Sequence, residues 1–110
     1  MATKIGQARR IEDVISAARR DASPTGFIDG NHHSDHLSQA VEMIERQEKE
    51  QAVEVLVRVV AAAEAEQIHT GAPHPDPTGF TVLVLLLWDM GLDEDAEAVQ
   101  TRFTRAPLAA

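Results

Sequence analysis

Glu45-Arg46-Gln47-Glu48-Lys49-Glu50-Gln51, seven polar residues with no glycine or proline, runs directly into Ala52-Val53-Glu54-Val55-Leu56-Val57-Arg58-Val59-Val60. Two folds follow from two readings of that junction. In the first, a single helix spans about 35 to 69, supported by Glu42/Arg46, Glu45/Lys49 and Glu54/Arg58 at the favourable i,i+4 spacing. In the second, the chain turns near Gln47 to Lys49 and folds back as an αα-hairpin. We read the hairpin, because an apolar stripe that disappears for two turns in mid-helix has nothing to pack on. A downstream echo agrees. Aligning Gln47 with Gly91 sets Glu50-Gln51-Ala52-Val53-Glu54-Val55 and Arg58 over Glu94-Asp95-Ala96-Glu97-Ala98-Val99 and Arg102, as a repeated hairpin would.

Working outward, Asp76 is placed to cap a helix whose first residue is Pro77, and Gly91-Leu92 suits a Schellman stop. The enclosed run Phe80-Thr81-Val82-Leu83-Val84-Leu85-Leu86-Leu87-Trp88 has the composition of a buried strand, but its caps and length indicate a helix. Asp93 starts a last helix through Arg105, with Ala96, Val99 and Phe103 facing inward, and Pro107 ends it. Upstream, Leu37, Ala40, Val41 and Ile44 resume helical spacing after a cap at Asn31 or Ser34. Residues 23–34 (SPTGFIDGNHHS) read as a loop. Ile5, Ala8, Ile11, Val14, Ile15 and Ala18 define an amphipathic first helix over Ile5 to Ala22, with Arg9-Arg10 and Arg19-Arg20 on a solvated or intramolecularly docked face. Pro-Thr-Gly-Phe occurs at 24–27 and again at 77–80, and reads both times as a capping turn with an apolar plug. The fold class is therefore all-α: a single domain over 1–110, with about five helices arranged as an N-terminal helix plus two αα-hairpins.

Composition narrows the function classes. Aromatic residues make up 4% of the chain and tyrosine is absent, which favours helices over sheet. With no cysteine, disulfides, thiolate metal sites and cysteine nucleophiles are excluded. Met1 to Arg10 has no apolar core of a signal peptide, and the longest apolar run, Val82 to Trp88, falls far short of the ~20 residues of a spanning helix, so no membrane association and a cytoplasmic location are expected. Net charge is -8, and residues 23–110 carry fifteen acidic and five basic side chains. A body of that sign repels phosphate backbones, so direct nucleic-acid binding is not expected.

One constellation carries chemistry. The hairpin brings His32, His33 and His36, at the start of one helix, to the same end as His69 and His74, which follow the close of its partner. A single long helix would hold His36 and His69 about 50 Å apart. His32 with His36, or His33 with His36, share a helical face, with Asp29, Asp35 and Asp76 nearby as oxygen donors. Such a set suits zinc, nickel or iron. Against it stand the positive end of a helix dipole and the absence of an HExxH motif. Ser34 or Ser38 beside these histidines lacks the GxSxG elbow of a serine hydrolase. Glu42, Glu45, Glu48, Glu50, Glu64 and Glu66 read as solvated helix faces.

Residues 53–60 and 80–88 are apolar on nearly every side, more than so short a chain readily covers. A two-fold homodimer burying part of Val53, Val57, Val60, Val82, Leu85, Leu86 and Trp88 is expected. The leading functional reading is a small, acidic, non-enzymatic protein-protein interaction or regulatory module. Its sharper variant is an inhibitor or decoy whose carboxylates mimic nucleic-acid phosphates. The alternative is a histidine-cluster metal-binding protein or small metal-dependent hydrolase using His32, His33, His36, His69 and His74, with zinc as its ion.

Overall fold

The polar stretch is a turn. A computed structural model describes residues 11–104, in the order α1 (Ile11–Asp21), β1 (Phe27–Ile28), β2 (Asn31–His32), α2 (His33–Glu45), α3 (Lys49–Thr70), α4 (Pro77–Asp89) and α5 (Asp93–Thr104). The expected starts and ends at Ile5, Ala8, Arg105 and Pro107 lie outside the described residues. Helix α3 packs against α1, α2 and α4, while α5 packs on α4 and touches α1. This is an all-α fold of one N-terminal helix and two αα-hairpins. No helix among the described residues is long and apolar enough to cross a membrane.

The echo between the two hairpins is a structural repeat. Gln47 and Gly91 both take left-handed backbone, at φ 66° and 79°. Around the first, Glu48 N–H donates to the Met43 carbonyl at 2.8 Å and Gln47 N–H to Ile44 at 3.0 Å; around the second, Leu92 N–H donates to Leu87 at 2.8 Å and Gly91 N–H to Trp88 at 3.0 Å. Both are Schellman turns, and each starts its next helix alike, with Ala52 bonding back to Glu48 and Ala96 to Leu92. Because the helix stops at Glu45, the first two i,i+4 pairs expected of a continuous helix have no helix to sit on. Arg46 pairs instead with Glu48, Lys49 reaches Asp89 on α4, and Arg58 reaches Asp29 in the β-turn.

Helix α3 is the axis. From Val59 through Glu64 every residue is buried, which is the pattern of a helix enclosed on all sides. Val57 and Val60 of α3 and Leu86 of α4 are thereby covered within one chain, which removes them from the surface expected for a second copy. The close approach of α4 to α3 depends on Gly79, where a Cβ would stand 2.5 Å from Val59 Cγ1.

Glu64 corrects the reading of the acids as solvated faces. It is buried on α3, and its carboxylate accepts from Arg102 Nε at 2.6 Å and Arg102 Nη2 at 2.9 Å, with Arg19 Nη1 at 3.4 Å. Arg102 also donates to the Glu12 carbonyl at 3.3 Å. The sequence reading counted Glu64 with the solvated acids, although Val60 and Ala61 precede it on the same helical face; burial follows because α1 and α5 close over that end of α3, each bringing an arginine.

The left-handed Gln47 generates a test. A side chain in that region costs about 1–2 kcal/mol, more than the extra chain entropy of glycine, so Gln47→Gly is expected to raise stability by roughly 0.5–1 kcal/mol. Gly91→Gln is expected to lower it comparably. Urea unfolding midpoints check both, and midpoints that do not move would show that the turns are unstrained.

Candidate functional site

The histidine-bearing end is built by a feature absent from the loop reading. Phe27–Ile28 and Asn31–His32 form a two-stranded antiparallel ribbon with Phe27 opposite His32 and Ile28 opposite Asn31. Its two-residue turn, Asp29-Gly30, has φ 52° and 85°, as a type I′ turn requires, and Asp-Gly is a preferred pair for it. The dipeptide was the available signal. The ribbon leads directly into α2, whose cap is neither Asn31 nor Ser34: His32 Nδ1 accepts the Ser34 N–H at 3.2 Å, and Ser34 Oγ lies 2.9 Å from the same nitrogen.

Two of the five histidines meet here, together with a carboxylate. His33, buried, donates from Nε2 to Glu66 Oε1 at 2.9 Å; His32 Nε2 lies 3.9 Å from Glu66 Oε2. The two imidazoles stack with centroids 4.1 Å apart. Among the described residues His32, His33 and Glu66 are the one group of three whose donor atoms converge, all within 4.8 Å of one another. Gly26 closes this cluster from beneath. At φ 87° its backbone comes so near that a Cβ would lie 3.0 Å from His33 Cδ2 and 3.1 Å from both His32 Nε2 and Glu66 Oε1.

The remaining expected ligands are elsewhere in use. His36 is buried and donates from Nε2 to the Ile28 carbonyl at 2.8 Å, locking the ribbon onto α2. His69 is exposed and outside the group, and His74, also exposed, packs its ring 5.6 Å from that of Phe103. Asp29 pairs with Arg58, and Asp35 is exposed. Glu66 is the residue sequence reasoning missed. Its signal was the spacing Glu66-Gln67-Ile68-His69, although only the glutamate of that pair faces the cluster.

The repeated Pro-Thr-Gly-Phe has two conformations. At 24–27 it enters the ribbon, Ser23 bonding Phe27 in both directions across the turn, and Phe27 is exposed. At 77–80 it is the first turn of α4, and Phe80 is buried. Context decides, since Asp76 caps the second copy and Asp29-Gly30 turns the chain after the first. What the copies share is a glycine at a point of close approach.

A second surface feature lies between α4 and α5, an open groove of about 480 Å³ floored by Phe80, Val84 and Phe103 and rimmed by Leu85 and Trp88. Leu85 is 57% and Trp88 44% exposed. None of the ten side chains that line it is charged, in a chain where a quarter of all residues are.

No protein-family model, curated protein or solved structure matches this chain.

Asp76 links the histidine end to the groove, because it caps α4 at the groove's edge. The Thr78 N–H that its carboxylate accepts at 3.0 Å holds its pKa below the ordinary 3.8; partial burial opposes this, and the Thr78 hydroxyl, His33 and His32 add to the lowering. A carboxylate with a depressed folded pKa stabilises the fold above its unfolded pKa of about 3.9, and that contribution is lost as the pH falls through the folded value. Asp76→Ala should therefore cost about 1 kcal/mol at neutral pH. The gap between variant and parent should narrow on going from neutral pH to a pH well below the unfolded pKa of about 3.9. Unfolding curves at the two pH values check this; an equal gap at both would mean that the charge does not contribute.

Proposed function

We propose that this chain is a non-enzymatic protein-interaction module that pairs with a second copy of itself through the α4–α5 groove. The observation that carries the reading is the stripe along α4. Pro77, Phe80, Thr81, Val84, Leu85 and Trp88 fall at helical intervals on one face, the pattern by which a groove and an apolar helix recognise each other.

Self-pairing is supported by the presence of recess and projection on the same helix. Phe80 and Phe103 stand at one end of the groove, their rings 4.7 Å apart. Trp88 lies about 12 Å further along α4. Two copies related by a two-fold axis, with their α4 helices antiparallel, bring Trp88 of each toward the partly exposed Phe103 of the other, which lies over the buried Phe80, as an isologous interface requires. The missing charges matter too. Each chain carries -8, so two copies repel wherever their acids face each other, and an uncharged face is where contact costs least. Covering Leu85 alone removes exposed apolar surface worth on the order of 1–2 kcal/mol. The occupant is thus matched by apolar fit. A phosphate-mimicking decoy would instead bind through carboxylates and lose affinity steeply with salt.

Light scattering coupled to size exclusion at micromolar concentration tests the proposal. Twice the 12.0 kDa chain mass is expected, with Trp88 emission blue-shifted as the dimer forms and little change in high salt. Leu85→Glu should return the chain mass while retaining the helical circular dichroism. A parent protein that elutes at the chain mass throughout would refute self-pairing.

A further inference from the structure

We propose that His32, His33 and Glu66 form a binding site for a divalent first-row transition ion such as zinc, held over the backbone of Gly26. This site is independent of the groove and differs in composition from the five-histidine set read in the sequence.

Donor identity and spacing carry the inference. Zinc holds imidazole nitrogen and carboxylate oxygen at about 2.0–2.2 Å, which sets neighbouring donors of a tetrahedron about 3.4 Å apart. The imidazole-to-carboxylate separations are 2.9 Å to Glu66 Oε1 and 3.9 Å to Oε2, and with one donor atom from each residue the three lie within 4.8 Å of one another, so small side-chain rotations bring them to that spacing. Three elements supply the parts. The ribbon ends in His32, α2 begins with His33, and α3 brings Glu66 across, so the donors are preset by tertiary structure rather than by a flexible loop.

The surroundings suit a cation in three ways. Glu66 lies four residues before the end of α3, near that helix's negative end, and its carboxylate offsets the positive end of α2. Asp76 lies within electrostatic range of both imidazoles and is held ionised by its cap. Ser34 Oγ, 2.9 Å from His32 Nδ1, supplies the outer partner that orients a ligating histidine. Ligation through Nε2 requires the tautomer in which Nδ1–H donates to Ser34 Oγ, so uptake of the ion gives up the cap bond that Nδ1 accepts from the Ser34 N–H. His33 likewise exchanges its hydrogen bond to Glu66 for the ion. Gly26 leaves the space that any side chain would fill, since a Cβ there comes within 3.1 Å of all three groups.

Two imidazoles and one carboxylate leave a fourth tetrahedral position to water or another ligand. That is the arrangement of an exchangeable site rather than a sealed structural one. The site would take up and release its ion without unfolding the chain, because Ile28, His36 and the α2–α3 packing hold the ribbon in place independently.

Calorimetric titration of zinc into chelator-treated, tag-free full-length protein tests the proposal, with imidazole resonances followed by NMR. One zinc per chain is expected, shifting the His32 and His33 resonances. Glu66→Gln, at a partly exposed position that tolerates exchange, should weaken binding by at least about tenfold. A His69→Ala/His74→Ala double variant should leave it unchanged. No heat and no resonance shift at millimolar zinc would overturn the proposal. So would binding that survives Glu66→Gln but is lost in the double variant.

Discussion

A carboxylate enclosed in the wall of the central helix is the constraint around which the fold closes. Glu64 lies where α3 is covered on every side, and an isolated charge there would cost several kcal/mol. Arg102 meets it with two hydrogen bonds and Arg19 adds a longer one. Those arginines come from α5 and α1, so one charge ties the first and last described helices to the middle of the chain. The Arg102 bond to the Glu12 carbonyl extends the tie to the start of α1. Apolar burial alone would let α1 and α5 slide along α3, whereas a two-point guanidinium-carboxylate pair fixes angle and register together.

With that end fixed, the other surfaces acquire their character. Helix α5, anchored by Arg102, holds Phe103 against Phe80 and so shapes the groove beside Leu85 and Trp88. Helix α3, held in register, brings Glu66 to the two histidines at the head of α2. Residues 64 and 66 point to different neighbours on one helix. The first carboxylate is consumed in structure, and the second remains half-exposed between two imidazoles. The groove and the histidine cluster are thus two consequences of one scaffold, and each can fail without the other.

Much of this was legible in the chain. The hairpin at Gln47 followed from an apolar stripe that vanished for two turns, and its likeness to Gly91-Leu92 reappears hydrogen bond for hydrogen bond. The cap at Asp76 and the stop at Gly91 were written in residues whose local chemistry suits little else. What was not legible depends on contacts across the chain. Glu64 follows an apolar run whereas Glu45 opens a polar one, but only the closure of α1 and α5 over it, each with an arginine, shows what its burial is for. The five histidines shared one end by topology, but side-chain direction sent His36 to a carbonyl, His74 to Phe103, and only His32 and His33 to a common point. Asp29-Gly30 was a local signal left unread, and with it went the ribbon that places His32. Pro-Thr-Gly-Phe gives the clearest limit, since the same four residues form a ribbon entry once and a helix start once.

The most direct test of the central constraint is a double-mutant cycle on Glu64→Leu and Arg102→Leu, read by chemical unfolding. A buried pair that organises three helices predicts a cost of about 3 kcal/mol or more for each single variant, and a double variant far less destabilised than their sum. Costs below about 1 kcal/mol that simply add, as for an exposed pair, would contradict it and leave apolar packing as the sole organiser of the fold.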